Sequence, residues 1–280
     1  MVIAMSMDIR KVIFGAAVSG VLICVASVQA VPLTDKMLND WVVFDSDIRK
    51  VQVRGYAKVN FGRSKDNKNR LTLVGRCNER CQVERWQRGD TLYLWSNSYC
   101  SDSYWQVEIP YIQKIRVGNH AYAHAKDLQT KIPLSLKIDD QGRVDLRGKL
   151  MIDKVRHYSL GGVRLIGIDS PVLELVSSGS GWVVAQGKVD ALTVRLNSHA
   201  VVDAGRLQVR TLYADLKDWA KLWARVRHTL FARADGDSRL YYRPYPKRKV
   251  IELRERALVG FQTRGCTPSN FANCAKSEIK

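Results

Sequence analysis

Gly142-Arg143-Val144-Asp145-Leu146-Arg147-Gly148 is answered three times further along the chain. The answering lines are Gly161-Gly162-Val163-Arg164-Leu165-Ile166-Gly167, Ser180-Gly181-Trp182-Val183-Val184-Ala185-Gln186-Gly187 and His199-Ala200-Val201-Val202-Asp203-Ala204-Gly205. Each reads as a small residue, a short alternating strand and, in most, a closing glycine. Val144, Val163, Trp182 and Val201 stand 19 residues apart, and the same step reaches Ala220 and Arg239. A repeat near 20 residues marks a solenoid. One such unit cannot bury its apolar face alone, so neighbouring units must stack. A second short strand, such as Leu192-Thr193-Val194-Arg195-Leu196, completes the coil. The expected fold is therefore all-β: a single-stranded β-helix, or solenoid, with ~19-residue coils, preceded by β-hairpins that cap or join it.

The flanks fit this centre. Ile48-Arg49-Lys50-Val51-Gln52-Val53 and Tyr56-Ala57-Lys58-Val59-Asn60-Phe61 alternate with the period of half-buried strands. Residues 63–70 read as a basic hairpin tip, with Leu71-Thr72-Leu73-Val74 as its returning strand. A second hairpin turns at Arg88-Gly89-Asp90; this tripeptide resembles an integrin-binding motif, but Gly-Asp turn chemistry accounts for it. The regular solenoid is expected to start near Ala125 and to run to about Tyr242. Leu216, Trp219, Ala220, Trp223 and Val226 have helical spacing, yet the repeat asks for strands over 215–226, and strands are the expectation. Arg243-Pro244-Tyr245-Pro246 should stop the ladder, because proline donates no hydrogen bond.

Residues 1–30 read as a signal peptide. Arg10 and Lys11 precede an apolar run over 12–25, and Val28-Gln29-Ala30 places cleavage after Ala30. The run is shorter than the roughly 20 residues a membrane span needs. Bulky Ile23 before Cys24 argues against a lipoprotein. The mature chain is expected to have no transmembrane span and to be exported to the periplasm, the cell surface or the medium. Residues 31–44 form a polar lead-in, 45–250 the solenoid domain, and 251–280 a C-terminal strand and tail. Outside the cytoplasm disulfides persist. Cys266 and Cys274 bracket a turn-rich loop and should pair. Among Cys77, Cys81 and Cys100 one pair is expected, leaving one thiol. Zinc at Cys77 and Cys81 lacks companion ligands.

No catalytic residue, metal set or cofactor motif emerges. His120 and His124 are too far apart on a strand for one metal. Asp218 and Asp237 are 19 apart and read better as turn caps than as a cation site. The 280 residues carry a formal charge of +18, and such a field favours polyanions. Arg206 and Arg225 are 19 apart and should stack, while Trp219, Trp223, Tyr242 and Tyr245 crowd the same last coils. Aromatic faces between cations can hold sugar rings bearing acidic groups. These six residues are the candidate ligand surface, although alternate aromatics could instead fill the core. The expected partner is an anionic polysaccharide, another glycan or an envelope surface. Nucleic acid is not expected outside the cell. Open solenoid ends leave strand edges that invite a homo-oligomer, so an envelope structural protein is the alternative, with a β-helical enzyme acting on polysaccharide third.

The order of features resembles the head GIN domain family, labelled autotransporter adhesins. The likeness lies in Ile48, Val51 and Val53, then Gly-Asp-Thr-Leu-Tyr-Leu at 89–94 and Val107-Glu108-Ile109-Pro110. The repeated lines follow, closing in Ser238-Arg239-Leu240-Tyr241-Tyr242-Arg243-Pro244. The resemblance implies an exported, right-handed β-solenoid with an adhesion role and no enzymatic one. Fewer Gly-Ala-Ser triplets, the cysteines and the basic C-terminal end set this chain apart. The family supplies no functional residues to carry over.

Overall fold

The computed structural model describes residues 40–44, 47–75, 80–100 and 102–261. Among the described residues there is no helix. The chain winds into a β-solenoid with two walls. On the back wall lie β2 (Lys50–Gly55), β5 (Val83–Arg88), β6 (Thr91–Ser96), β8 (Lys114–Val117), β10 (Leu134–Asp140) and β12 (Ile152–Ser159). On the front wall lie β1 (Asp40–Phe44), β3 (Lys58–Gly62), β4 (Asn69–Gly75), β7 (Ser103–Glu108), β9 (Tyr122–Gln129) and β11 (Arg143–Leu150). The long strands β13 (Gly162–Ser178), β14 (Trp182–Leu196), β15 (Val201–Leu216) and β16 (Lys221–Ala234) begin on the front wall, bend and finish on the back. A last coil adds β17 (Arg239–Arg243) and β19 (Leu258–Phe261) in front and β18 (Arg248–Leu253) behind.

Neighbouring coils pair in parallel register, which stacks like side chains. Val144, Val163, Val183, Val202, Leu222 and Leu240 form one continuous apolar ladder on the front wall. Leu173, Leu192, Leu212 and Leu230 form another on the back. All ten are buried, and their contact across the narrow interior is the main source of stability. The coil step is therefore 19, 20, 19, 20 and 18 residues along the front ladder, not a constant 19. The slack is taken up by bulges at the bend, as between Ile166 and Ile168.

Opposite that bend, most coils turn through a residue with positive φ. These are Gly55, Asn119, Asp140, Gly179, Ser198, Asp218, Gly236 and Glu255. The next residue donates its N–H to the turn carbonyl one coil below, as His120 does to Gly55, His199 to Gly179 and Trp219 to Ser198. The turns thus continue the hydrogen-bond ladder around the corner. Asp218 Oδ2 also accepts the Ser198 N–H at 2.8 Å, which is the turn-capping role expected of it.

The N-terminal end departs from simple winding. The β6–β7 coil lies outside the β2–β3 coil, so the second coil made is the first in space. Antiparallel β5 closes the back wall, and β4 followed by β1 closes the front. The strand at 69–75 accordingly pairs with β7 and β1 and not with β3. The expected hairpin through 63–70 is corrected on this point, because β3 is already held between β7 and β9. Parallel coils likewise begin at β2, well before Ala125. Cys81 and Cys100 are joined in a disulfide at the base of the β5–β6 hairpin. Arg88-Gly89-Asp90 works as a turn, with Arg88 paired to Thr91 across the β5–β6 hairpin and Gly89 at a φ of 57°, and the Asp90 carboxylate meets Lys50 at 2.9 Å. Nor does Pro244 stop the ladder: it falls in the corner between β17 and β18, where no ladder N–H is called for. The leader with its cleavage point after Ala30, Cys24, Cys77 and the Cys266–Cys274 pair lie outside the described residues.

Candidate functional site

Register turns the outward residues of the front wall into straight columns. The column nearest the turns runs Lys58, Tyr122, Arg143, Gly162, Trp182, Val201, Lys221 and Arg239. The next runs Asn60, His124, Asp145, Arg164, Val184, Asp203, Trp223 and Tyr241. Gly162 is what lets Trp182 lie where it does, since a methyl group there would collide with the indole. The Arg164 guanidinium sits 5.9 Å from the Trp182 ring centre, within cation–π range. Trp182 stays 42% exposed.

Tyr122, Arg143, Arg164 and Trp182 border a hollow of about 360 Å³. Tyr56, Lys58, His120, Tyr122 and Arg143 border a second of about 470 Å³. Tyr122 and Arg143 belong to both, so the two run together as a groove across successive coils. The Tyr56 and His120 rings stack at 4.6 Å at its far end. The Tyr122 hydroxyl lies 3.4 Å from His124 Nδ1. Burial pushes the Tyr122 phenol above its ordinary value, and the Asp145 charge adds to this, so the hydroxyl keeps its proton. Asp145 is engaged by Arg147 at 3.1 Å and Arg164 at 3.4 Å. Arg143 has no acidic partner among the described residues. The groove therefore offers aromatic faces, a neutral hydroxyl and cations in excess of carboxylates. That suits an extended ligand with ring faces and negative groups.

The residues expected from sequence are placed differently. Arg206 is exposed, but it sits opposite Gln186 and in a bulge that β16 passes over, so it does not stack on Arg225. Arg225 is half-buried and pairs with Gln208 and Arg243. Trp223 pairs with Tyr241, not Tyr242, because the local step is 18. Trp223 and Tyr242 are each only 3% exposed and cannot meet a ligand. Tyr242 points inward above Ala224 and fills the last coils. Trp219 is exposed at a turn and stacks on His199 at 5.5 Å. Tyr245 is exposed, with Lys249 Nζ 4.3 Å from its ring centre. The six do not form one surface. The groove residues were missed because a strict 19-residue step puts Trp182 in the core ladder. The true step of 20 gives that place to Val183 and turns Trp182 outward.

Solved structures of low sequence identity share this architecture. One, described as a putative lipid binding protein from Parabacteroides distasonis, superposes with a TM-score of 0.65 at 13% identity, covering 80% of this chain and 96% of that one. Another, a putative adhesin from Parabacteroides merdae, gives 0.65 at 12% identity over 81% and 97%. A putative adhesin from Bacteroides fragilis gives 0.52 at 16% over 79% and 97%. At these identities the likeness establishes the fold. No curated protein sequence matches the chain. The family described as "Putative auto-transporter adhesin, head GIN domain" matches residues 47–246, a span that holds every coil up to β17 and both hollows of the groove. By that match, the chain belongs to the head GIN domain family.

Proposed function

We propose that this protein is an exported, non-enzymatic, adhesin-like solenoid that holds an anionic polysaccharide or another anionic surface against its front wall. The observation that carries the reading is the groove through Tyr122, Arg143 and Trp182, where aromatic rings and cations alternate from coil to coil. A polymer of acidic sugars repeats its charge along its length, and a solenoid repeats its cations at each coil, so contact adds up along the groove. The family's adhesin description supports the reading, as does the excess of Lys and Arg over Asp and Glu in the chain. One of the structural relatives is described as lipid binding, which makes an anionic lipid headgroup the second ligand to test. The candidate surface moves from the last coils to the middle of the wall, with Trp219 two coils beyond Trp182 at the turn edge.

The test is a glycan and anionic-lipid array probed with residues 31–280 at low and moderate salt. Selective retention that survives moderate salt, and that falls at least tenfold in Trp182→Ala and in Arg143→Ala, is the expected result. Binding to every polyanion that vanishes with salt would reduce the reading to net charge. Retention untouched by both substitutions would move the site elsewhere. The bound polysaccharide should keep its chain length on incubation.

A further inference from the structure

We infer that two copies of this chain join end to end through their last coils, as a closed two-fold dimer. The two ends of the solenoid are built differently. At the first end, antiparallel β5 sets Arg85 opposite Leu94 and Gln87 opposite Leu92. Leu92 and Leu94 belong to the core, and facing residues of an antiparallel pair share a face. Long polar side chains therefore shut the core at that end, as terminal repeats of a solenoid do. At the last coil the core-facing positions carry Ile251, Leu253, Val259 and Phe261, in register above Ala232, Ala234, Leu240 and Tyr242. The four lower residues are buried, whereas Leu253 is 52% exposed and the other three are half-buried. Lys249 shares this face above Leu230, but its ammonium lies at the corner, 3.4 Å from the Tyr242 hydroxyl and 4.3 Å from the Tyr245 ring centre. Among the described residues, β18 pairs only with β16 and β19 only with β17. Both strands thus present a free edge of N–H and C=O groups beside an apolar face.

The surface that fits this end has two strand edges at the same spacing and an apolar strip of the same width between them. The last coil of a second copy has both. A two-fold axis normal to the two walls lays β18 antiparallel to its copy and β19 antiparallel to its own, and it keeps core-facing residues on the core side. The register centred on Val250 sets Arg248 opposite Glu252 of the partner subunit, twice over by symmetry, and opposite charges on facing strands favour the pairing. Stacking head to tail would instead set Arg85 and Gln87 against the apolar strip, and such a contact would run on into a filament. A face that matches itself closes with two copies. The same axis leaves both front walls on one side of the dimer. On the function proposed above, the pair presents two grooves to one surface, and the second attachment becomes intramolecular.

Sedimentation equilibrium of residues 31–280, with no ligand present, tests this. The expected result is a monomer–dimer equilibrium that ends at twice the monomer mass. Leu253→Asp alters an exposed side chain and should raise the dissociation constant at least tenfold, with an unchanged circular dichroism spectrum. Glu252→Arg should weaken the dimer likewise, by setting arginine against Arg248, and adding Arg248→Glu in the same chain should restore it. Glu84→Lys, on exposed β5 at the far end, should leave the dimer whole. A monomer at every concentration overturns the inference, and slow amide exchange in β18 and β19 of that monomer would mean that residues 262–280 cover the edge instead. A ladder of higher masses overturns the closed pair. So does a dimer that Leu253→Asp leaves intact, or one that the charge exchange fails to restore. These masses are read without ligand, so failure of the dimer can be told from failure of the front-wall groove, which the array judges.

Discussion

His157 shows how tightly a single residue is bound into the coil. It is fully buried, with Nε2 3.0 Å from the Gly161 carbonyl and Nδ1 2.9 Å from Ser177 Oγ. A carbonyl only accepts, so Nε2 carries the proton and Nδ1 accepts from the serine. Gly181 has no side chain because a β-carbon would collide with this ring. Burial holds the imidazole below its ordinary value of 6.5, and the neutral form is the native one. The unfolded chain therefore takes up the proton first as pH falls. Stability is complete above pH 6.5 and drains away below it, until the lowered native value is reached. Urea midpoints at pH 8 and pH 5.5 should differ more for the wild type than for His157→Gln, which cannot charge. Equal losses in the two would mean that other groups carry the acid sensitivity. Asp218 makes a second residue-scale case. Its φ of 59° disfavours any side chain with no local hydrogen bond to make. Asp218→Gly should lose about 1 kcal/mol with the bond to Ser198, and Asp218→Ala about 2 kcal/mol, since it adds the left-handed strain. Denaturant unfolding of the pair checks the order, and alanine no worse than glycine would refute it.

At the scale of elements, the β5–β6 hairpin is the part that closes the back wall. Among the described residues strand β5 pairs only with β6, and Cys81–Cys100 ties the hairpin at its base. Cross-linking across 19 residues removes chain entropy from the unfolded state worth about 3 kcal/mol. In a solenoid that loss is local, because each coil touches only its neighbours. Cys81→Ser with Cys100→Ser should speed amide exchange in β5 and β6 while β13 to β15 keep their protection. Uniform loss of protection would contradict local coupling. The elements also show what was legible in the sequence. Glycines mark the corners, so the coil repeat was readable from Gly148, Gly167 and Gly187. The register was not, because bulges at the bend let the step vary between 18 and 20 and one residue of slip exchanges the two faces of a strand. Trp182 was misplaced by that single residue, and Trp223 was given Tyr242 as its neighbour where the structure pairs it with Tyr241. The strands over 215–226 were readable only through the repeat, since the local spacing of Leu216, Trp219 and Trp223 is helical. The order of the first coils was out of reach, because β6 and β7 stack outside β2 and β3 by long-range pairing that leaves no local mark.

For the whole molecule, the consequence of parallel register is that charge is stacked as faithfully as valine. Lys137 lies directly opposite Arg156, Lys221 opposite Arg239, and Arg225 opposite Arg243. Like charges on facing strands oppose the pairing that holds them. Carboxylates relieve this only in places: Asp139 serves Arg116 and Lys137, and Glu174 serves Lys154 and Arg195. With a net charge of +18, the folded chain holds its excess cations closer together than the unfolded chain does. An anionic polymer on the walls would relieve that repulsion and bind the folded state, where the cations are held close together, more tightly than the unfolded chain. At a hundredfold excess over its dissociation constant, such a ligand adds at most about 2.7 kcal/mol of stability. For a domain of this size that corresponds to a rise of about 5–10 °C in the melting midpoint. Heparin in low-salt buffer should produce this rise, and about 0.5 M sodium chloride should erase the difference by screening. A neutral dextran of similar length should give a far smaller shift at low salt, because it leaves the stacked cations as they were. If heparin and dextran moved the midpoint equally, the stacked cations would have no part in ligand binding. If heparin moved it in wild type and not in Arg143→Ala, the effect would belong to the groove rather than to the field of the molecule.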